Sequence, residues 1–110
     1  MRTVETILQE IIDLKGQDNK AAFEKFLEAA AIGRDSGNKL FHVMGMLNAA
    51  AVSLHAVDSK EEMELMAINC MELITAARDV DEAIWTKYLE EEPHMHEMMK
   101  TLSNAGALNN

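Results

Sequence analysis

Apolar residues recur at helical spacing in six stretches of this chain, and in one of them, Lys39 to Val57, they leave no continuous polar face. A helix that is apolar nearly all round must be covered by other helices or by a membrane. This one is too short and too polar to cross a bilayer, so it is predicted as the buried centre of a core. Ahead of it, Val4, Ile7, Leu8, Ile11 and Ile12 fall on one face of a first helix that Thr3 can cap and Gly16 can end. A second helix from about Asn19 carries Ala22, Phe23, Phe26, Leu27, Ala30 and Ala31 on one side, and Asp35-Ser36-Gly37-Asn38 stops it and caps the next.

The central helix has small residues at Gly45, Ala49, Ala50, Ala51, Ser53 and Ala56, which admit a close neighbour at a cost of up to about 1 kcal/mol in helix propensity at Gly45. Leu40, Phe41, Val43, Met44, Met46 and Leu47 are expected to form the bulky end of the core. After a tight turn at Asp58-Ser59, Ser59 and Glu62 have capping-box spacing. The fourth helix then runs to about Arg78 with a stripe of Met63, Met66, Ala67, Cys70, Met71, Ile74 and Ala77, widened by Leu65, Ile68 and Leu73. The third and fourth helices are thus expected to pack as a buried antiparallel hairpin. Asp79 or Asp81 caps a fifth helix bearing Ala83, Ile84, Trp85, Tyr88 and Leu89, and Pro93 opens a sixth with Met95, Met98, Met99 and Leu102 at helical spacing.

Length and composition sharpen this picture. At 110 residues, with 48% hydrophobic and 26% charged, the chain suits one globular domain over residues 1–104 with a frayed tail over 105–110. One proline and five glycines favour long helices with short connections. A single cysteine excludes an intramolecular disulfide, and the first fifteen residues carry acids within their apolar pattern, unlike a secretory signal, so a cytoplasmic location is expected. The net charge of −9 is confined to one stretch: residues 58–97 hold twelve acids against Lys60, Arg78 and Lys87. That balance disfavours nucleic acid or an anionic membrane as a direct partner and favours a basic protein surface.

Shifting the chain by 44 residues lays Cys70 to Trp85 over Phe26 to Phe41. Leu27 then meets Met71, Ala30 meets Ile74, Arg34-Asp35 meets Arg78-Asp79, Leu40 meets Ile84 and Phe41 meets Trp85. In both windows a helix ends at Arg-Asp, a polar turn follows, and the next helix opens with a bulky apolar pair. The layout resembles the helix-turn-helix units of the tetratricopeptide family over roughly residues 20 to 90. It departs from that family in lacking the proline that usually ends a unit, in matching the small mid-helix residue only with Asn48, and in its longer period. The resemblance implies a protein-binding scaffold rather than an enzyme.

Candidate chemistry is sparse. His94 and His96, among Glu91, Glu92 and Glu97 and next to Met95, Met98 and Met99, form the one pattern that suggests a metal or small ligand. On a helix, residues two apart point about 200° apart, so the two rings cannot share an ion unless the backbone is extended. Glu91 and His94 have the Glu-x-x-His spacing of di-iron bundles, but no second copy exists. His42 and His55 lie more than three turns apart on the central helix, as core-edge side chains, and Cys70 falls in an apolar stripe as a small buried hydrophobe. Nucleophile elbows, phosphate loops, paired cysteines and dinucleotide fingerprints are absent, so neither enzymatic activity nor a cofactor is expected. Nine methionines can fill the core or, as Met63, Met66, Met95, Met98 and Met99, line a groove for an amphipathic helix.

The sequence therefore predicts an all-α protein, a single compact bundle of five to six antiparallel helices, acting as a non-catalytic protein-interaction or regulatory module. A basic partner protein would meet an acidic helical surface at Trp85, Tyr88, Glu90, Glu91 and Glu92, the aromatics anchoring and the acids steering. Two alternatives keep other features: an inhibitor that mimics nucleic-acid charge and blocks a DNA- or RNA-binding protein, and a binder of metal or a small ligand through His94 and His96. The extent of apolar surface on the third and fourth helices also allows a homodimer.

Overall fold

A computed structural model describes residues 19–54 and 59–104, all of it helical apart from short connections. The five helices are α1 (Asn19–Ser36), α2 (Lys39–Ser53), α3 (Lys60–Val80), α4 (Glu82–Glu91) and α5 (Pro93–Asn104). They correspond to the second through sixth predicted helices. The predicted first helix, His55, Asp58 and the tail over 105–110 lie outside the described residues. Among the described residues there is no strand, and no helix is long and apolar enough to cross a membrane. The Cα radius of gyration, 13.4 Å, is close to the roughly 13 Å of a compact chain of this length.

Each helix ends where its sequence provides a stop. Gly37 adopts φ 75°, the left-handed conformation that a side chain resists, and the amides of Gly37 and Asn38 bond back to the carbonyls of Arg34 (3.3 Å) and Gly33 (2.8 Å). This is the Schellman arrangement that closes a helix C-terminus. Asn38 then caps α2 by accepting from the amide of Phe41 at 3.1 Å, and Ser59 caps α3 by accepting from Glu62 at 3.1 Å. Of the two candidates for the next cap, Asp81 is the one used: its Oδ1 accepts from the amide of Ile84 at 3.0 Å. Asp79 lies inside α3, which runs to Val80 rather than ending near Arg78.

Helix α2 contacts each of the other four described helices, which explains why it is apolar all round. One side meets α1 closely. A Cβ built on Gly45 would lie 2.6 Å from the backbone nitrogen of Ala30 and 2.7 Å from the carbonyl oxygen of Phe26, and one built on Gly33 of α1 would lie 2.5 Å from the backbone nitrogen of His42. Glycine at both places lets the two backbones come together. The other side of α2 supplies Val43, Leu47, Ala50 and Leu54 to the main core, where they join Ala67, Cys70, Ile74 and Ala77 of α3 and Met95, Met98 and Leu102 of α5. Ala29 and Ala30 of α1 are buried as well, Ala29 with Phe26 and Ile32 beside it.

A polar contact fixes α2 against α3 inside this core. The buried Ser53 hydroxyl donates to the carbonyl of Ala50 at 2.7 Å, the Cys70 thiol donates to the same carbonyl at 3.0 Å, and Oγ and Sγ lie 2.9 Å apart. Burial pushes the thiol pKa up, outweighing the opposing effect of the Ser53 hydroxyl, which could donate to a thiolate, so Cys70 is a protonated core side chain.

Two packing expectations need correction, and of the two readings of the methionines one holds for Met95 and Met98. Leu40 is 47% exposed, because it sits in the first turn of α2, at the end of the arc that Val43 and Leu47 continue into the core. Leu65 and Ile68 do not widen the buried stripe of α3: they are 65% and 57% exposed, about 140° and 200° around the helix from Cys70. Met95 and Met98 fill the core, so they do not line an open groove with Met63, Met66 and Met99, which are half-buried.

Gly45→Ala tests the α1–α2 contact. Alanine is the better helix former, yet its methyl group would meet backbone atoms that cannot move aside. The unfolding free energy is expected to fall by about 1–3 kcal/mol, read as a lower denaturant midpoint at unchanged slope. A variant as stable as the parent would show that the two helices do not approach this closely.

Candidate partner-binding surface

Single residues separate the last three helices. Asp81 is both the C-cap of α3 and the N-cap of α4, and Glu92 is the C-cap of α4, donating its amide to the carbonyl of Tyr88 at 3.2 Å. The Glu92 carbonyl also accepts from the amides of Met95 (3.0 Å) and His96 (3.4 Å), so α5 starts directly on the end of α4 with Pro93 in its first turn. Such short junctions leave α4 as a ten-residue helix with no fully buried residue, lying partly against the core through Ile84, Trp85, Tyr88 and Leu89.

Trp85 and Tyr88, three apart, share one face of α4. Trp85 is half-buried, its indole Nε1 is shielded from solvent with no hydrogen-bond partner among the described residues, and the Arg78 guanidinium carbon lies 5.9 Å from its ring centroid. Tyr88 belongs to a polar network that reaches α2. Asn48 donates through Nδ2 to the carbonyl of Met44 at 2.8 Å and to Tyr88 Oη at 2.7 Å. A carbonyl only accepts, so the amide nitrogen must be the atom facing Met44, and Oδ1 is left to accept from His94 Nε2 at 2.9 Å. His94 therefore carries a proton on Nε2. Its ring stands edge-on to Tyr88 with centroids 6.1 Å apart, and its Nδ1 lies 3.7 Å from the Glu92 carboxylate. Burial raises the Tyr88 pKa, with Glu92 adding to the effect and the Asn48 hydrogen bond opposing it, so the phenol stays neutral.

The five residues expected to meet a partner thus fall into three groups. Trp85 and Tyr88 are half-buried and held by neighbours, while Glu90 and Glu91 are exposed and make no ion pair among the described residues. Glu92 is half-buried at the junction, within reach of His94. The two histidines are exposed on either side of the buried Met95 and face different partners: His94 turns to Asn48, and His96 Nε2 donates to the carbonyl of Glu90 at 2.8 Å. Among the described residues, no group of three or more His, Cys, Asp or Glu side chains is placed to hold a metal ion. Asn48 is the participant that local sequence patterns did not single out. Its signal was an amide inside an otherwise apolar stretch, which requires partners wherever it is buried.

No family model matches the chain, and comparison with curated proteins and with solved structures yields no significant match. The tetratricopeptide resemblance accordingly rests on the quoted residues alone.

Asn48→Ala removes hydrogen bonds from Tyr88, His94 and Met44 together, and is expected to lower stability by about 1–3 kcal/mol. The same change made in Tyr88→Phe should cost less, since one of the stranded groups is then gone; equal costs in both backgrounds would break the link between the two residues. His42, half-buried on α2, tests the electrostatics elsewhere on this helix. Its pKa is lowered by burial and, secondarily, by the Arg34 guanidinium, so the unfolded chain binds a proton that the folded chain resists. Stability is then lost as pH falls below the ordinary histidine range of about 6.5. Denaturation of His42→Gln between neutral pH and about pH 5 should show a smaller loss than the parent, and parallel curves would refute the assignment.

Proposed function

We propose that this protein is a non-catalytic interaction or regulatory module that binds a basic partner protein through the surface formed by α4 and the start of α5. The observation that carries the proposal is the pairing of exposed Glu90 and Glu91, which make no ion pair among the described residues, with two aromatic side chains already fixed in place, Trp85 by packing and Tyr88 by Asn48. Aromatic groups that are immobile before binding lose little conformational freedom on association, which favours affinity. Carboxylates without internal partners contribute a long-range field that accelerates encounter with a cationic surface. Of the twelve acids over residues 58–97, nine are exposed and two, Asp81 and Glu92, are half-buried, so nearly the whole negative charge of the stretch faces solvent.

Within this reading the helices form antiparallel pairs in the manner of a tetratricopeptide scaffold, with α2 and α3 as one unit, α1 ending the unit before it and α4 opening the next, as the 44-residue offset suggests. The protein works in the cytoplasm and uses no cofactor.

The test is to capture partners on the immobilised protein from a lysate of its source cell at low and high salt, then to measure affinity for the purified partner. A basic protein released by salt is expected, with Glu90→Lys/Glu91→Lys weakening its binding by about tenfold or more. Affinity unchanged by the double reversal would remove this surface. Competition by DNA for the same partner would convert the reading into that of a nucleic-acid mimic.

A further inference from the structure

The side of α3 turned away from the core carries a second, separate pattern. Glu61, Leu65, Ile68, Glu72, Thr75 and Asp79 follow one another at alternating steps of four and three residues, the spacing of a coiled-coil seam, and all are exposed. The seam extends for about 27 Å along the helix. It lies opposite Ala67, Cys70, Ile74 and Ala77, which hold α3 to the core, so nothing in the packing of α3 calls for apolar side chains there. Yet its centre is Leu65 and Ile68, 65% and 57% exposed, two of the three large apolar side chains most open to solvent among the described residues. Acids close both ends of that pair, Glu61 one turn before and Glu72 one turn after, with Glu64 at the edge; none of the three makes an ion pair among the described residues. No lysine or arginine occupies a seam position.

We infer that this seam is the seat of a basic amphipathic helix from the partner protein, one that places two apolar residues on Leu65 and Ile68 and a lysine or arginine against Glu61 and Glu72. The inference rests on the partner-binding reading above and adds a second contact to it. Charge complementarity decides the occupant. A second copy of this chain would bring the same acids against one another across a two-fold axis, and the stretch over residues 1–18 is itself acidic, with Glu5, Glu10, Asp13 and Asp18 against Arg2 and Lys15. A cationic helix meets neither objection. The order acid, apolar, apolar, acid at steps of four, three and four reads the same in both directions, so the mating helix can be parallel or antiparallel with the complementary order.

The probe is a helical, alanine-rich peptide of about 18 residues containing Lys-x-x-x-Leu-x-x-Leu-x-x-x-Lys, with a control of the same composition whose leucines lie on the face away from the lysines. The full-length protein should bind the probe about tenfold or more tightly than the control, and Leu65→Ser/Ile68→Ser should lose that preference. Glu90→Lys/Glu91→Lys should retain it. Equal binding by the parent and by Leu65→Ser/Ile68→Ser overturns the inference, and if Glu90→Lys/Glu91→Lys alone abolishes probe binding, the α4 surface stands without α3. Two further measurements name other occupants and would also overturn it: a lower denaturant midpoint in Leu65→Gln/Ile68→Gln, which keeps helix propensity, would mean that the chain itself covers the face, and a dimer that this variant converts to monomer in sedimentation would mean that a second copy does.

Discussion

The approach of α2 to α1 at Gly45 and Gly33 is the constraint on which the other contacts depend. Helix α2 touches every other described helix, so its position sets theirs, and that position requires two backbones within van der Waals distance where any side chain would intrude. A large residue at position 45 would push the helices apart. Val43, Leu47, Ala50 and Leu54 would then lose their register with Ala67, Cys70 and Ile74, because a helix moves as a rigid body and its two faces cannot be adjusted separately. The Ser53–Cys70–Ala50 contact reinforces the same geometry from the other side, since a hydrogen-bonded thiol tolerates less sliding than an apolar pair.

Asn48 is the point where this helix stops being purely apolar. Its amide spends both donors and its oxygen on groups from its own helix, from α4 and from α5, and so ties the two short helices to the central one. Apolar packing alone would hold α4 weakly, as a ten-residue helix with no fully buried side chain. The directional bond to Tyr88 fixes its rotation about its own axis, and the bond to His94 ties the start of α5 to the same amide, so that Trp85 and Tyr88 are held half-buried while Glu90 and Glu91 stay exposed.

Much of this was legible in the sequence, and the reasons differ by residue. Gly37-Asn38, Ser59 and Pro93 carry their conformational preferences with them, so the helix ends they make can be read locally. Asp79 and Asp81 have equal capping ability; the choice between them depends on Ala77 and Val80 staying helical against the core, a tertiary effect. Leu65, Ile68 and Leu73 are similar in type, and periodicity places all three on a widened stripe. Their separation into two exposed side chains and one half-buried one follows from where α2 crosses, and periodicity within α3 does not contain that information. The partners of Asn48 lie 40 and 46 residues away, beyond the reach of any spacing rule. The acidic run at 90–92 is plain in the sequence, whereas the fixation of the neighbouring Tyr88 depends on that distant amide.

The run itself raises a question of energetics that bears on what it is for. Glu90 and Glu91 occupy the last turn of α4, where the helix dipole disfavours negative charge by about 0.3–1 kcal/mol each. The same residues stand immediately before α5, whose N-terminal end favours negative charge by a similar amount. Because α4 and α5 meet at Glu92 alone, the two end charges lie close together and their effects on these carboxylates largely cancel. Mutual repulsion among three adjacent acids is left over, and among the described residues Glu92 alone of the three has an imidazole nitrogen, that of His94, within 4 Å. Folding therefore gains little from Glu90 and Glu91. Their net physical effect is the field they project outward, which is the property a cationic partner would use.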